Sequence, residues 1–235
     1  MRIWDLDPGF LNDKSLLGEH RELHGIVSIL VNRKKGYSRH PETMRWRECL
    51  GGLAMRHCQL VAEMDLRGFH HRSPLPDLVQ EVRWPAIWID PPAGQYQILG
   101  QKYLERPSGR IPLPRNCQEL WARHKYSVMA RDYNAYRHYG GEVAARRIGF
   151  AQLALELAGW LRTPPPPAAL GNTLLHMWGY VSSLAAQKSP PLSPSRLLAE
   201  IRRLTLSPAG PLYLKHSTAL GELACWHGVS DSADS

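Results

Sequence analysis

The sequence predicts an all-α protein: a compact helical domain with long proline-rich irregular connections, extended by a C-terminal helical region. Three observations carry this. Apolar residues recur at spacings of three and four in several windows. Asn or Asp precedes several of these windows, and glycine closes one of them. No GxGxxG follows a strand-like run, and the GxxxxGK[ST], HExxH and GxSxG patterns do not occur.

The first helix is expected from about Asn12 to Val31. Pro8-Gly9 marks a turn ahead of it, and Asn12 or Asp13 can cap it. Its apolar stripe is Leu16, His20, Leu23, Val27 and Leu30, widened by Leu17, Ile26 and Val31. Glu19 and Glu22 lie off the stripe and, being three apart, share a face. Residues 32–41 (NRKKGYSRHP) form a basic loop. Arg33, Lys34, Lys35 and Arg39 can clamp phosphates and Tyr37 can stack on a base. Cations after a helix C-terminus also simply complement its dipole.

Glu42–Gly68 reads as a second long helix with Gly68 as C-cap, weakened in the middle by Gly51-Gly52, which permits close helix contact. His57 on its apolar face reads as a satisfied core histidine. Residues 69–116 are proline-rich and irregular, with one short helix over Gln95–Glu105 and tryptophans to pin the rest. Cys117–Arg147 resumes helical patterning with a break at Asp132–Asn134. Arginines and tyrosines interleave there, as on a surface that tracks a nucleic-acid backbone or on the solvated face of a helix pair. Three more helices are expected over Phe150–Leu161, Leu170–Ala186 (capped by Asn172) and Pro194–Leu206. The domain reading is 1–147, then a helical extension over 148–227 continuous with it, then a disordered polar tail, 228–235.

Composition bounds function. The 235 residues, 43% hydrophobic, suffice for a sizeable core, and the net charge of +8 favours a polyanionic partner. Four cysteines stand far apart without a CxxC pair, which argues against a zinc ribbon or a disulfide framework and fits a reducing compartment. Asp5 and Asp7 interrupt any signal peptide, and no apolar run approaches the ~20 residues of a membrane helix. The expectation is a soluble cytoplasmic monomer without membrane contact. His20 and His24 flank Glu22, but HxExH is not a zincin order, so no metal is expected there; His70-His71 reads as loop surface.

The chemistry sits at the start. An α-amine titrates near 7.7–8.0, so a useful fraction is nucleophilic at neutral pH without burial. If the first helix returns a carboxylate, Glu19 or Glu22, to the amine of Met1 beside cationic Arg2, the pair can do imine chemistry. An ordinary N-terminus before an amphipathic helix has the same composition.

MRIW at the start, GEHREL at Gly18–Leu23 and LVAEMDLRGF at Leu60–Phe69 resemble, in order and spacing, the pyrimidine-dimer DNA glycosylases, the endonuclease V family of a bacteriophage and its bacterial relatives. YRHYG at Tyr136–Gly140 is a further likeness. HKYSVMARD, AYRHYG and NTLLHMWGY, between Trp121 and about Ala219, are similar to the YbgA-like domain family, whose function is unassigned. The first resemblance implies a DNA-repair glycosylase with β-elimination (AP lyase) activity on lesion-containing double-stranded DNA, needing no small-molecule cofactor and acting at the bacterial nucleoid. The amine aligns with Met1 and the catalytic glutamate with Glu22. Arg2, Arg21 and, across a gap, Lys125 match cationic positions. Arg33, Lys34, Lys35, Tyr37, Arg39 and Arg137 join them as DNA-binding candidates. The phage enzyme exposes a threonine amine after losing its initiator methionine; here Met1 itself matches, and bulky Arg2 next to it implies that the methionine is kept. Gly25 and Ser15 replace a basic residue and a histidine. The alternative is a non-catalytic nucleic-acid-binding or accessory protein.

Overall fold

A computed structural model describes residues 1–77, 81–187, 189–191 and 193–229. The chain divides into two compact units, 1–109 and 110–235. The described residues are helical with irregular connections and contain no strand, as the sequence predicts. No helix among them is long and apolar enough to cross a membrane.

In the first unit, α1 (Asp13–Val31) packs against α3 (Leu50–Leu66). Asn12 caps α1: its side-chain oxygen accepts from the Ser15 main-chain N–H at 2.9 Å. Leu16, Leu23 and Ile26 are fully buried, which is the stripe read from the sequence. The second helix differs from expectation. It breaks into α2 (Pro41–Arg45) and α3, with Trp46 to Cys49 between them. The cause is Trp46. Its ring is buried and its indole N–H donates to Glu42 at 2.9 Å, so the chain turns to sink that ring before the α3 stripe begins. Gly68 takes φ +75° just past the end of α3, the left-handed stop expected of it. Gly52 makes a close approach, but to irregular main chain: an added Cβ would lie 2.1 Å from the Arg83 carbonyl oxygen. The short helix of the proline-rich stretch is α4 (Pro92–Lys102).

The second unit holds α5 (Cys117–Met129), α6 (Tyr133–Ala144), α7 (Phe150–Trp160), α8 (Pro167–Gly179), α9 (Pro194–Leu206), α10 (Leu212–Lys215) and α11 (Ala219–Glu222). Asp132 caps α6, accepting from Ala135 N–H at 2.8 Å, and so makes the expected break. Asn172 is not a cap. It lies inside α8, which starts at Pro167, because proline is pre-shaped for a first helical turn. α5 packs against α6, α7, α8 and α11, so the helices on either side of residue 147 share one core. No disulfide joins the four cysteines. The expected disordered tail lies, from residue 230 on, outside the described residues.

His124 sits in this core, 3% exposed, with Nδ1 against the Leu120 carbonyl at 2.9 Å. Burial lowers its pKa from 6.5 to about 4, with Arg123 adding repulsion and the Leu120 hydrogen bond opposing. The unfolded chain binds this proton near 6.5 and the folded chain only near 4. The stability it contributes is therefore full above pH 6.5 and is lost as pH falls toward 4, by about 3 kcal/mol. Urea unfolding at pH 7 and pH 4.5, compared between the wild type and His124→Asn, should show a steeper loss in the wild type.

Candidate active site

The irregular opening segment, residues 1–7, is tied down by buried polar side chains at almost every step. Two glutamates on one face of α1 receive its N–H groups in antiparallel order. Glu22 accepts the main-chain N–H of Arg2, and Glu19 accepts that of Trp4 at 3.1 Å. Gln95 on α4 accepts the Asp5 N–H at 2.8 Å and donates back to the Asp5 carboxylate at 2.9 Å. Arg45 pairs with Asp5 at 2.7 Å and donates to the Ile3 carbonyl at 3.1 Å, while Arg56 donates to the Leu6 carbonyl at 2.8 Å. Asp7 then caps a short 3-10 turn, Pro8–Phe10, through Gly9 N–H at 2.8 Å.

The two glutamates have different fates. Glu19 is 2% exposed and grips Arg56 bidentately at 2.7 and 2.9 Å. Burial pushes its carboxyl up, and the Arg56 guanidinium and the Trp4 N–H oppose this. The bidentate geometry belongs to an ionised carboxylate, so Glu19 is committed to structure. Glu22 is half-buried and makes its contact at the second residue of the chain. Covalent geometry places the nitrogens of residues 1 and 2 within roughly 3.7 Å of each other. The Glu22 carboxylate thus meets the main chain one peptide unit after the Met1 nitrogen.

Arg2 lies over the Trp4 ring at 4.8 Å and pairs with Asp90 at the foot of α4. Arg21, the next residue to Glu22, is exposed. The basic loop begins where α1 ends. Arg33 takes φ +49° and the Lys34 N–H closes back on the Ile29 carbonyl at 3.0 Å, a helix stop usually made by glycine. Tyr37 also holds a left-handed φ of +56° and is 72% exposed. Lys35 and Arg39 are exposed beside it. Arg33, Lys34, Lys35 and Arg47 line an open cleft of about 370 Å³. Lys125 and Arg137 belong to the second unit. The Lys125 ammonium lies over the Tyr126 and Tyr213 rings at 5.0 and 4.8 Å, and Arg137 is exposed on α6.

Sequence reading missed the residues that hold the opening segment: Arg45, Arg56, Asp90 and Gln95. It also set aside the His20/His24 pair as a metal site and read His57 as a core residue and His71 as loop surface. The structure brings all four together, with their ligand nitrogens within 4.8 Å of one another. The i, i+4 pair His20/His24 carries a signal in sequence; nothing local announces that His57 and His71 join it.

Fold and site together define a helical unit whose opening segment is held at its second residue by a helix carboxylate, with a basic loop at the far end of the same helix. Within it, residues 1–77 match the family model described as pyrimidine dimer DNA glycosylase, which bears out the resemblance of this part of the chain. The match contains Met1, Arg2, Arg21, Glu22 and the loop from Arg33 to Arg39. No curated protein matches the chain, and no solved structure does.

Proposed function

We propose that the protein is a DNA-repair glycosylase with associated lyase activity, acting on damaged duplex DNA of the pyrimidine-dimer class. The observation that carries the reading is the Glu22 carboxylate held on the second residue, one peptide unit from the Met1 amine, within a segment that matches this family.

The Met1 nitrogen attacks C1′ of the damaged nucleotide. Its lone pair forms the N–C1′ bond as the glycosidic bond breaks, and that electron pair leaves with the base. The sugar ring opens as the C1′–O4′ bond gives way to a C1′=N⁺ iminium. Glu22 takes a proton from the nitrogen and passes it to the departing O4′, stabilises the cationic iminium, and as a carboxylate again takes the proton from C2′. Loss of the 3′-phosphate completes the elimination, and water hydrolyses the imine to return the amine. Reaching C1′ requires distortion of the duplex and exposure of the nucleotide.

The basic residues supply the backbone contacts. α1 runs nine positions past Glu22 to Val31, roughly 14 Å at helical rise, and the basic loop follows. That spans about four base-pair steps, so Arg21, Arg33, Lys34, Lys35 and Arg39 suit phosphates flanking one lesion. Tyr37, exposed in a conformation that costs an L-residue about 1 kcal/mol, suits stacking on a base. Arg2 contributes from beside the amine. Lys125 and Arg137, on α5 and α6 of the second unit, are proposed as DNA contacts of that unit.

Incubation with duplex DNA containing cis-syn thymine dimers tests the reading. The expected result is strand cleavage at the dimer and none in undamaged duplex. Binding without cleavage at any lesion or abasic site would instead make the protein an accessory DNA binder. Affinity should also fall steeply with salt: about four to six neutralised phosphates give a log–log slope of about −4 to −5. A slope near zero in fluorescence-anisotropy titrations would remove the basic loop from the interface.

A further inference from the structure

We propose that His20, His24, His57 and His71 form a closed zinc site that fastens the segment after α3 onto the α1–α3 pair. The residues come from three places: one turn of α1, the middle of α3, and the irregular stretch beyond Gly68. Their candidate ligand atoms all lie within 4.8 Å of one another. The Nε2 atoms of His20 and His57 face each other at 3.2 Å. Two nitrogens bound to one tetrahedral zinc at 2.0–2.1 Å stand about 3.3 Å apart, so this pair already has the edge of such a site. The Nε2 atoms of His24 and His71 are buried and have no hydrogen-bond partner. An orphaned buried nitrogen costs free energy, and two beside a converging pair call for an electrophile at the centre.

The surroundings agree. An imidazole with an ordinary pKa near 6.5 is mostly neutral at pH 7 and keeps a lone pair for a metal. The donor set selects the ion. Four neutral imidazoles and no carboxylate disfavour calcium and magnesium, which take oxygen ligands, and the absence of thiolates disfavours an iron–sulfur cluster. Four protein ligands leave no open position for a reactive water, so the zinc is structural. The site uses neither Met1 nor Glu22 and stands apart from the proposed lyase chemistry.

The test uses the full chain without a polyhistidine tag, stripped with chelator and desalted. Zinc chloride is titrated against a metallochromic indicator, and thermal melting is followed with and without zinc. The expected result is one zinc per chain with submicromolar affinity, a higher melting temperature, and the visible bands of tetrahedral cobalt when Co²⁺ is used instead. His71→Gln, placed in the irregular segment, should weaken zinc at least ~100-fold, the upper end of the loss for a disturbed metal shell. His57→Gln probes the buried ligand, and His71→Gln serves if that variant does not fold. Less than stoichiometric zinc in the wild type, or equal zinc affinity in the wild type and His71→Gln, would overturn the site.

Discussion

Replacing Glu22 by glutamine should lower strand cleavage by about 10²–10⁴-fold, the range for loss of a positioned acid–base group. The amide oxygen of the new side chain can still accept the Arg2 N–H that Glu22 accepts, so the opening segment keeps its path. Only the charge goes, and with it the stabilisation of the cationic imine and the acceptor for the C2′ proton. Affinity for lesion-containing duplex should stay within about twofold, since a half-exposed neutralisation of this kind changes free energy by about 0.5 kcal/mol. Single-turnover cleavage and anisotropy measured on one preparation separate the two effects. Cleavage at the wild-type rate would take Glu22 out of the chemistry. The neighbouring Glu19→Gln is a sharp contrast, because Glu19 is bound to Arg56 and Trp4 and its loss should act through stability.

Arg56→Met should produce the largest stability change in the first unit. Its guanidinium, 3% exposed, neutralises a Glu19 side chain that is wholly buried, and it also donates to the Leu6 carbonyl at 2.8 Å. Removing it leaves a buried carboxylate without a cation, which costs about 3–5 kcal/mol. In a unit of this size that lowers Tm by roughly 10–20 °C. Because Arg56 and Glu19 between them hold Trp4 and Leu6, the same change loosens the segment that carries the amine, and cleavage falls with it. The double variant Glu19→Gln/Arg56→Met removes both charges and should recover at least half of the loss, because a neutral pair leaves no uncompensated ion in the interior. Calorimetry on the single and double variants checks this. Equal Tm values for the double and Arg56→Met variants would show that Arg56 acts through its Leu6 contact alone.

The helices were legible because their physics is local. Asn12, Asp132 and Gly68 are capping and stopping residues whose roles depend on a few neighbours, and Pro194–Leu206 carries a clean apolar stripe. The break at Trp46 was not legible, since it depends on Glu42 being buried to receive the indole, a tertiary fact. Of the site, the glutamates at spacing three were readable as sharing a face. Their pattern alone did not choose between them, and the resemblance pointed to Glu22; that Glu19 is tied to Arg56, thirty-seven residues away, is a tertiary fact. The histidine cluster was hidden for the same reason. The His20/His24 spacing is local, but the packing of α1 on α3 brings in His57, and the path of the chain after Gly68 brings in His71.

The α-amine of Met1 is the proposed nucleophile that bonds to DNA. Borohydride trapping with duplex containing an abasic site or a thymine dimer tests it directly. The expected product is a reduced protein–DNA adduct whose crosslinked peptide, by mass spectrometry, begins at Met1, and which disappears when the α-amine alone is blocked while the lysines remain free. An adduct that persists after that blocking, or that maps to a lysine, would contradict it.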